Sequence, residues 1–178
     1  MSLIYAVEAF SKAFPEIAAL VPIQEQETRQ EGLGASDVVF QPDWMKILGM
    51  EKSGNLLTCT VREDGRLVGY IVFIGYTDLQ RQLTNGKPLL IAHDLAHYVV
   101  KDKRGPRVAL RLFAFAEVEL RVKGVRRISI HAKPHLKGGR LLSALGFIPQ
   151  DIVYSKYTEL AAVEDAPAET MAQAPKAA

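Results

Sequence analysis

The sequence predicts a single mixed α/β domain in which antiparallel strands lead into a strand–loop–helix–strand unit. Three observations carry that prediction. Two β-rich runs flank Asp64-Gly65, a dipeptide suited to the positive φ angles of a tight hairpin turn. The run LLIAHDLAHYVV ends in a charged, glycine-bearing turn and a long apolar-striped helix. The length of 178 residues, with 48% hydrophobic and 24% charged residues, suits one sizeable core in an ordinary globular protein.

The elements follow in order. From Val7 to Leu20, apolar residues at Val7, Phe10, Phe14, Ile17 and Leu20 recur at helical spacing. Pro15 lies within that stretch and predicts a kink or break. Residues 24–36 are polar with two glycines and read as a loop with at most a helical turn. Asp43 is placed to cap a short helix through Leu48. Residues 56–63 and 66–76 form the hairpin, and the near-continuous apolar character of the second run suits a central strand. Asn85-Gly86 marks another turn, and residues 89–100 a further strand. Pro106 suits the first position of a helix over 107–123, which Gly124 terminates. Residues 126–131 read as a short strand, 139–145 as a short helix, and 147–160 as one bent strand or two short ones. The domain is thus expected to span 1–160. The Ala/Pro-rich, acidic residues 161–178 bury little and read as a disordered tail.

Composition excludes several classes. The single Cys59 cannot form an internal disulfide and sits in an apolar run, so it reads as a buried spectator. No stretch of 18 apolar residues exists to span a membrane, and no signal peptide is apparent, so a cytoplasmic location is expected. Charge is uneven. Residues 1–60 hold four Lys/Arg against eight Asp/Glu, whereas residues 101–140 hold twelve against three. The basic stretch suits a polyanion, either a nucleotide pyrophosphate or a nucleic acid backbone.

Chemistry concentrates in HYVVKDKRGPRVALRL. A helix N-terminus offers unpaired N–H groups and partial positive charge, a preceding glycine lets backbone approach a ligand, and Lys101, Lys103, Arg104 and Arg107 add cations. That is a phosphate site or, equally, a solvated basic turn.

Here the sequence resembles a family. Arg104-Gly105-Pro106-Arg107-Val108-Ala109 is similar to the acyl-CoA loop R/Q-x-x-G-x-G/A of the GNAT superfamily of N-acyltransferases. The hairpin, the strand before the loop, RRISIH and RLLSALGF follow in the family's order. The ending LGFIPQDIVYSKYTEL is most like those of phage-encoded GNAT-like proteins. The resemblance implies a GNAT fold and acetyl-CoA as co-substrate, with the acyl group passing directly to an amine. Backbone groups of Tyr98, Val99 and Val100 would pair with the pantetheine arm, and the amides from Arg104 to Ala109 would cradle the pyrophosphate. Two departures stand out: the family's middle glycine is Arg107, and its proton-donating Tyr is Leu142.

Candidate acid and base groups complete the reading. His93-Asp94-x-x-His97 invites a metal site, but on a regular strand His93 and His97 share a face roughly 13 Å apart, too far for one ion, so no metal is expected. His93 lies where some relatives place a base, and imidazole, titrating near pH 6.5, suits that work. Tyr154 is the candidate acid. Trp44, Phe40 and Met45 either line the acceptor side or pack the core, and His131 and His135 either face substrate or belong to a polar loop. The competing functional readings are a degenerate binding or virion-associated module, lacking the Tyr, and a nucleobase-modifying enzyme of the Mom type. The acceptor amine and the oligomeric state are open.

Overall fold

The computed structural model describes residues 2–29, 41–133 and 138–150. Tyr154, Tyr157, His135, Phe40, residues 151–160 of the expected last strands and the tail lie outside these residues, and residues 147–150, where that strand was expected to begin, form none. Strand β1 (Leu3–Val7) precedes helices α1 (Phe10–Thr28) and α2 (Trp44–Lys52). Strands β2 (Leu56–Glu63), β3 (Arg66–Gln82) and β4 (Pro88–Val99) follow, then α3 (Pro106–Val122), β5 (Arg127–Ser129) and α4 (Gly138–Ala144).

The strands form one sheet in the order β1-β2-β3-β4-β5, antiparallel except for the parallel pair β4–β5. The hairpin forms where Asp64-Gly65 predicted it, with φ of 49° and 84° at the two residues. Asp43 caps α2 by accepting the Lys46 N–H at 3.0 Å. The core fills both faces of the sheet. On one face Phe10, Ala13, Ile17 and Val21 of α1 are buried; on the other, Leu112, Phe113, Ala116 and Leu120 of α3.

Three expectations change. LIYAV is a strand that pairs with β2, so the chain begins with an edge strand and the first helix starts later than its apolar spacing suggested. Helix α1 runs unbroken through Pro15 and Pro22 to Thr28, absorbing residues read as loop. Each interior proline costs about 3 kcal/mol. Burying Phe10, Ile17 and Val21 returns about 1.5–3 kcal/mol apiece, which offsets that cost. Third, β3 continues to Gln82, well past Tyr76.

The most consequential feature is a bulge in β4. Val72 pairs with Ala96, but Phe73 pairs with Asp94, so Leu95 is an extra residue. An inserted residue reverses the in–out alternation of everything after it. Asp94 and His97, three apart, therefore share the face that carries α3. His93 points to the α1 face instead. The regular-strand expectation that His93 and His97 share a face is thus overturned by a single residue.

Candidate acyl-transfer site

Strand β5 pairs with β4 only from Ile91 to His93. Beyond that point β4 runs on to Val99 while β5 ends at Ser129, so the two strands part and leave the edge of β4 open. The N–H of Val100 donates to Val68 in β3 at 3.0 Å. Peptide groups alternate along a strand, so the Val99 groups point the other way, into the splay. Of Tyr98, Val99 and Val100, Val99 therefore presents its main chain to the opening.

Between Leu95–His97 of β4 and His131–Lys133 after β5 lies a cavity of about 750 Å³. It extends from α1 and α2, past Tyr70 and Val72 on β3, to Leu95 and His97 at the bulge, and reaches Phe113 on α3 and Leu142 on α4. Its size falls within the range of small-molecule sites. The Leu142 side chain contributes only carbon there.

Asp94 organises the polar part. Its side chain is 4% exposed and receives three hydrogen bonds. His97 Nδ1 lies 2.8 Å from Oδ2, and the His131 N–H and Nδ1 lie 2.7 and 2.8 Å from Oδ1. Burial pushes the Asp94 carboxyl up, but the bonds from His97 and His131 outweigh it and hold the group below its ordinary value. An ionised carboxylate only accepts, so His97 Nδ1 carries its proton and a neutral His97 has a bare Nε2. His97 lines the cavity and packs edge-on against Phe113 at 5.4 Å.

His93 sits elsewhere. Its ring stacks on Tyr76 at 5.2 Å and lies 6.0 Å from the His131 ring, outside the cavity lining. Burial, with His131 and Arg127 nearby, depresses its pKa. The structure thus joins Asp94, His97 and His131 by hydrogen bonds, while His93 approaches only the His131 ring. Asp-x-x-His is invisible as a unit in a regular strand, so the signal was present in the residues but the bulge was needed to use it.

The loop before α3 is partly self-satisfied. A turn of 3-10 helix covers Lys101–Lys103, and Gly105 is the N-cap, with Pro106 opening α3. The N–H groups of Arg104, Gly105 and Val108 donate to Lys101, Lys103 and Gly105 carbonyls at 3.3, 2.8 and 3.2 Å. Pro106 has no N–H, and the Arg107 amide has no main-chain partner among the described residues. The cradle expected from Arg104 to Ala109 is accordingly narrower than the motif suggested. The Arg104 side chain also leaves the loop. Its Nε donates to the Val99 carbonyl at 2.8 Å, its guanidinium pairs with Glu27 of α1, and it lies 5.0 Å over the Tyr98 ring. Glu27 accepts the Tyr98 hydroxyl as well, at 3.1 Å, and these contacts lower its pKa, the Arg104 bond most of all. Glu27 and its neighbour Gln24, which accepts the Tyr70 hydroxyl at 2.5 Å, carry no motif and were unreadable in the sequence. Among the described residues, no group of three or more His, Cys, Asp or Glu is arranged to hold a metal ion, and no helix is long and apolar enough to cross a membrane.

A mostly antiparallel sheet whose one parallel pair splays beside a strand–loop–helix defines the fold of the GNAT acetyltransferases. Among solved structures, the chain is similar to a ribosomal-protein-alanine N-acetyltransferase from Brucella melitensis biovar Abortus 2308, with a TM-score of 0.58 and 20% identity over 89% of this chain and 98% of that one. It is similar to a predicted acetyltransferase with acetyl-CoA from Clostridium acetobutylicum, with a TM-score of 0.63 and 15% identity over 88% and 96%. It is also similar to an aminoglycoside acetyltransferase from an uncultured soil metagenomic sample, with a TM-score of 0.62 and 13% identity over 88% and 95%. No family model and no curated protein matches the chain.

Proposed function

We propose that the chain is an acyl-CoA-dependent N-acyltransferase that passes an acetyl group from acetyl-CoA to an amine. The observation that carries the reading is the splay of β4 from β5, opening onto a cavity with an Asp-oriented imidazole at its neck. The fold shared with acetyltransferases, one of them solved with acetyl-CoA, supports it.

In this reading the pantetheine arm lies along β4 beside Val99, and the diphosphate meets the Arg107 amide and the exposed cations Lys101 and Arg107. The acceptor comes from the cavity. Its nitrogen attacks the thioester carbonyl, the C–N bond forms, and the C–S bond breaks to release the CoA thiolate. His97 Nε2 takes the proton the nitrogen sheds and returns it to the thiolate, the task left vacant at Leu142. Asp94 acts through His97, as a positioning residue. Holding both reactants in the splay supplies a large share of the rate.

The Arg104 side chain stands in the way of this arrangement, because it holds the Val99 carbonyl. Acetyl-CoA binding therefore requires it to swing out, and the freed guanidinium is then available to a phosphate.

Calorimetry with acetyl-CoA tests the proposal. Micromolar binding, with thiol release that falls at least tenfold in His97→Gln, is the expected result. No binding at millimolar acetyl-CoA refutes it and favours the binding-module reading, to which Leu142 and the seated Arg104 already lend weight.

A further inference from the structure

We infer that the acceptor is a monoamine with an apolar, ring-bearing body, such as an arylalkylamine, rather than a polyamine or amino sugar. The inference rests on the transferase reading for the chemistry and on the cavity for the specificity.

Among the described residues most of the wall is apolar. Ile17 and Val21 come from α1, Trp44 and Ile47 from α2, Val72 from β3 and Leu142 from α4. Trp44 belongs to an aromatic cluster, 5.3 Å from the Phe14 ring and stacked at 6.5 Å on Phe10. Such a wall favours a flat apolar partner, where offset and edge contacts add about 0.5–1.5 kcal/mol beyond simple burial. An amino sugar brings many hydroxyl and ammonium groups, each of which costs about 1–3 kcal/mol if buried without a partner. Several polar groups of this lining are already engaged, Gln24 with Tyr70 and the His97 carbonyl and Lys133 with Thr28, so few remain for so many.

Charge points the same way. Two carboxylates line the cavity, Glu25 and Asp43, and so do two ammonium groups, Lys46 and Lys133. Formally these cancel, so the described lining carries no surplus negative charge to attract a polycation. Asp43 is committed to capping α2. Lys133 donates to the Thr28 carbonyl at 2.9 Å and to its hydroxyl at 3.1 Å, closing the rim between α1 and the segment after β5. Glu25 makes no hydrogen bond or ion pair among the described residues, so it is the carboxylate available to one ammonium group. One carboxylate and an aromatic-lined space of about 750 Å³ match one charge on one ring-sized body.

The sole tryptophan, Trp44, reports occupancy without any catalysis. Its fluorescence is titrated with 2-phenylethylamine, and separately with kanamycin and spermine, on the full chain without acetyl-CoA. Acetyl-CoA is then added and thiol release is followed with each amine. The expected result is a saturable fluorescence change with 2-phenylethylamine alone, and a kcat/KM at least about tenfold above that for kanamycin or spermine, a gap of about 1.4 kcal/mol. Ile47→Gln, checked for folding by its melting curve, is expected to weaken the 2-phenylethylamine titration about tenfold and leave the acetyl-CoA Kd unchanged. Transfer to kanamycin or spermine in preference to 2-phenylethylamine overturns the inference and leaves the transferase reading standing. A fluorescence response to 2-phenylethylamine without acetyl-CoA binding does the reverse. Silence in both measurements overturns both.

Discussion

Asp94→Asn isolates the feature on which the proposed chemistry turns. The substitution keeps shape and volume, so it tests charge and hydrogen-bond polarity alone. Asp94 Oδ1 accepts two bonds from His131, and Oδ2 accepts one from His97. An asparagine has one carbonyl oxygen, which stays with the two His131 donors. Its NH2 then faces His97 Nδ1, and two donors cannot meet, so neutral His97 must move its proton to Nε2. The nitrogen that takes the substrate proton becomes a donor. The same substitution at the aspartate of a serine-protease triad leaves the histidine in the wrong tautomer and costs about 10⁴-fold. Here the imidazole is 37% exposed and can still reorient, and acid–base catalysis contributes about 10²–10⁴-fold, so a loss near 10²-fold in kcat is expected, with KM for acetyl-CoA unchanged. Exchanging charge-assisted bonds for neutral ones also costs about 1.5–3 kcal/mol, or about 5–10 °C in Tm. The assay pairs thiol release across pH 6–9 with ¹⁵N NMR of the imidazole, which distinguishes the Nδ1–H from the Nε2–H form. Activity within threefold of the parent, or an imidazole still protonated at Nδ1, would refute the role given to His97.

Four further outcomes are expected. Glu27→Gln removes the charge that holds Arg104 across the Val99 carbonyl, so acetyl-CoA should bind about two- to fivefold more tightly by calorimetry; weaker binding would show that the bridge supports the site. Gly69→Ala places a methyl 2.9 Å from Val61 Cγ1 and 3.1 Å from both the Tyr98 carbonyl oxygen and Val99 Cγ2, and overpacking of this kind costs about 1–3 kcal/mol, readable in a urea melt. Burial pushes the Cys59 thiol up to about 12, so iodoacetamide at pH 8 should modify it only in the unfolded chain, as mass spectrometry will show. Burial depresses the His93 pKa, so the unfolded chain binds the proton first as pH falls; Tm should rise with pH through the window just below the ordinary value near 6.5, and His93→Gln should flatten that rise.

Much of the architecture was legible because its causes are local. Asp64-Gly65 needs only its own φ angles, and Asp43 needs only the next turn of chain. Helix α3 was legible from Pro106 at its start, the stripe Leu112, Phe113, Ala116 and Leu120, and Gly124 at its end. Where burial competes with local propensity, the local signal failed. Pro15 read as a kink or break, yet the apolar face of α1 keeps the helix whole through it and through Pro22 against the sheet.

The candidate site divides along the same line. Residues 97–112 announced a strand–loop–helix able to face an anion, because glycine, proline and lysine act where they stand. Which groups face the opening was set by pairing between distant strands. Val99 points into the splay because Val100 is bonded to Val68, and Asp94 reaches His97 because Leu95 has no partner on β3. Side-chain direction along a strand depends on register, and register belongs to the neighbouring strand as much as to the residues themselves. The sequence alone thus determined that cations would gather at the loop after β4; only the assembled sheet decided that His97 and not His93 meets the cavity, and that Arg104 lies across the Val99 carbonyl.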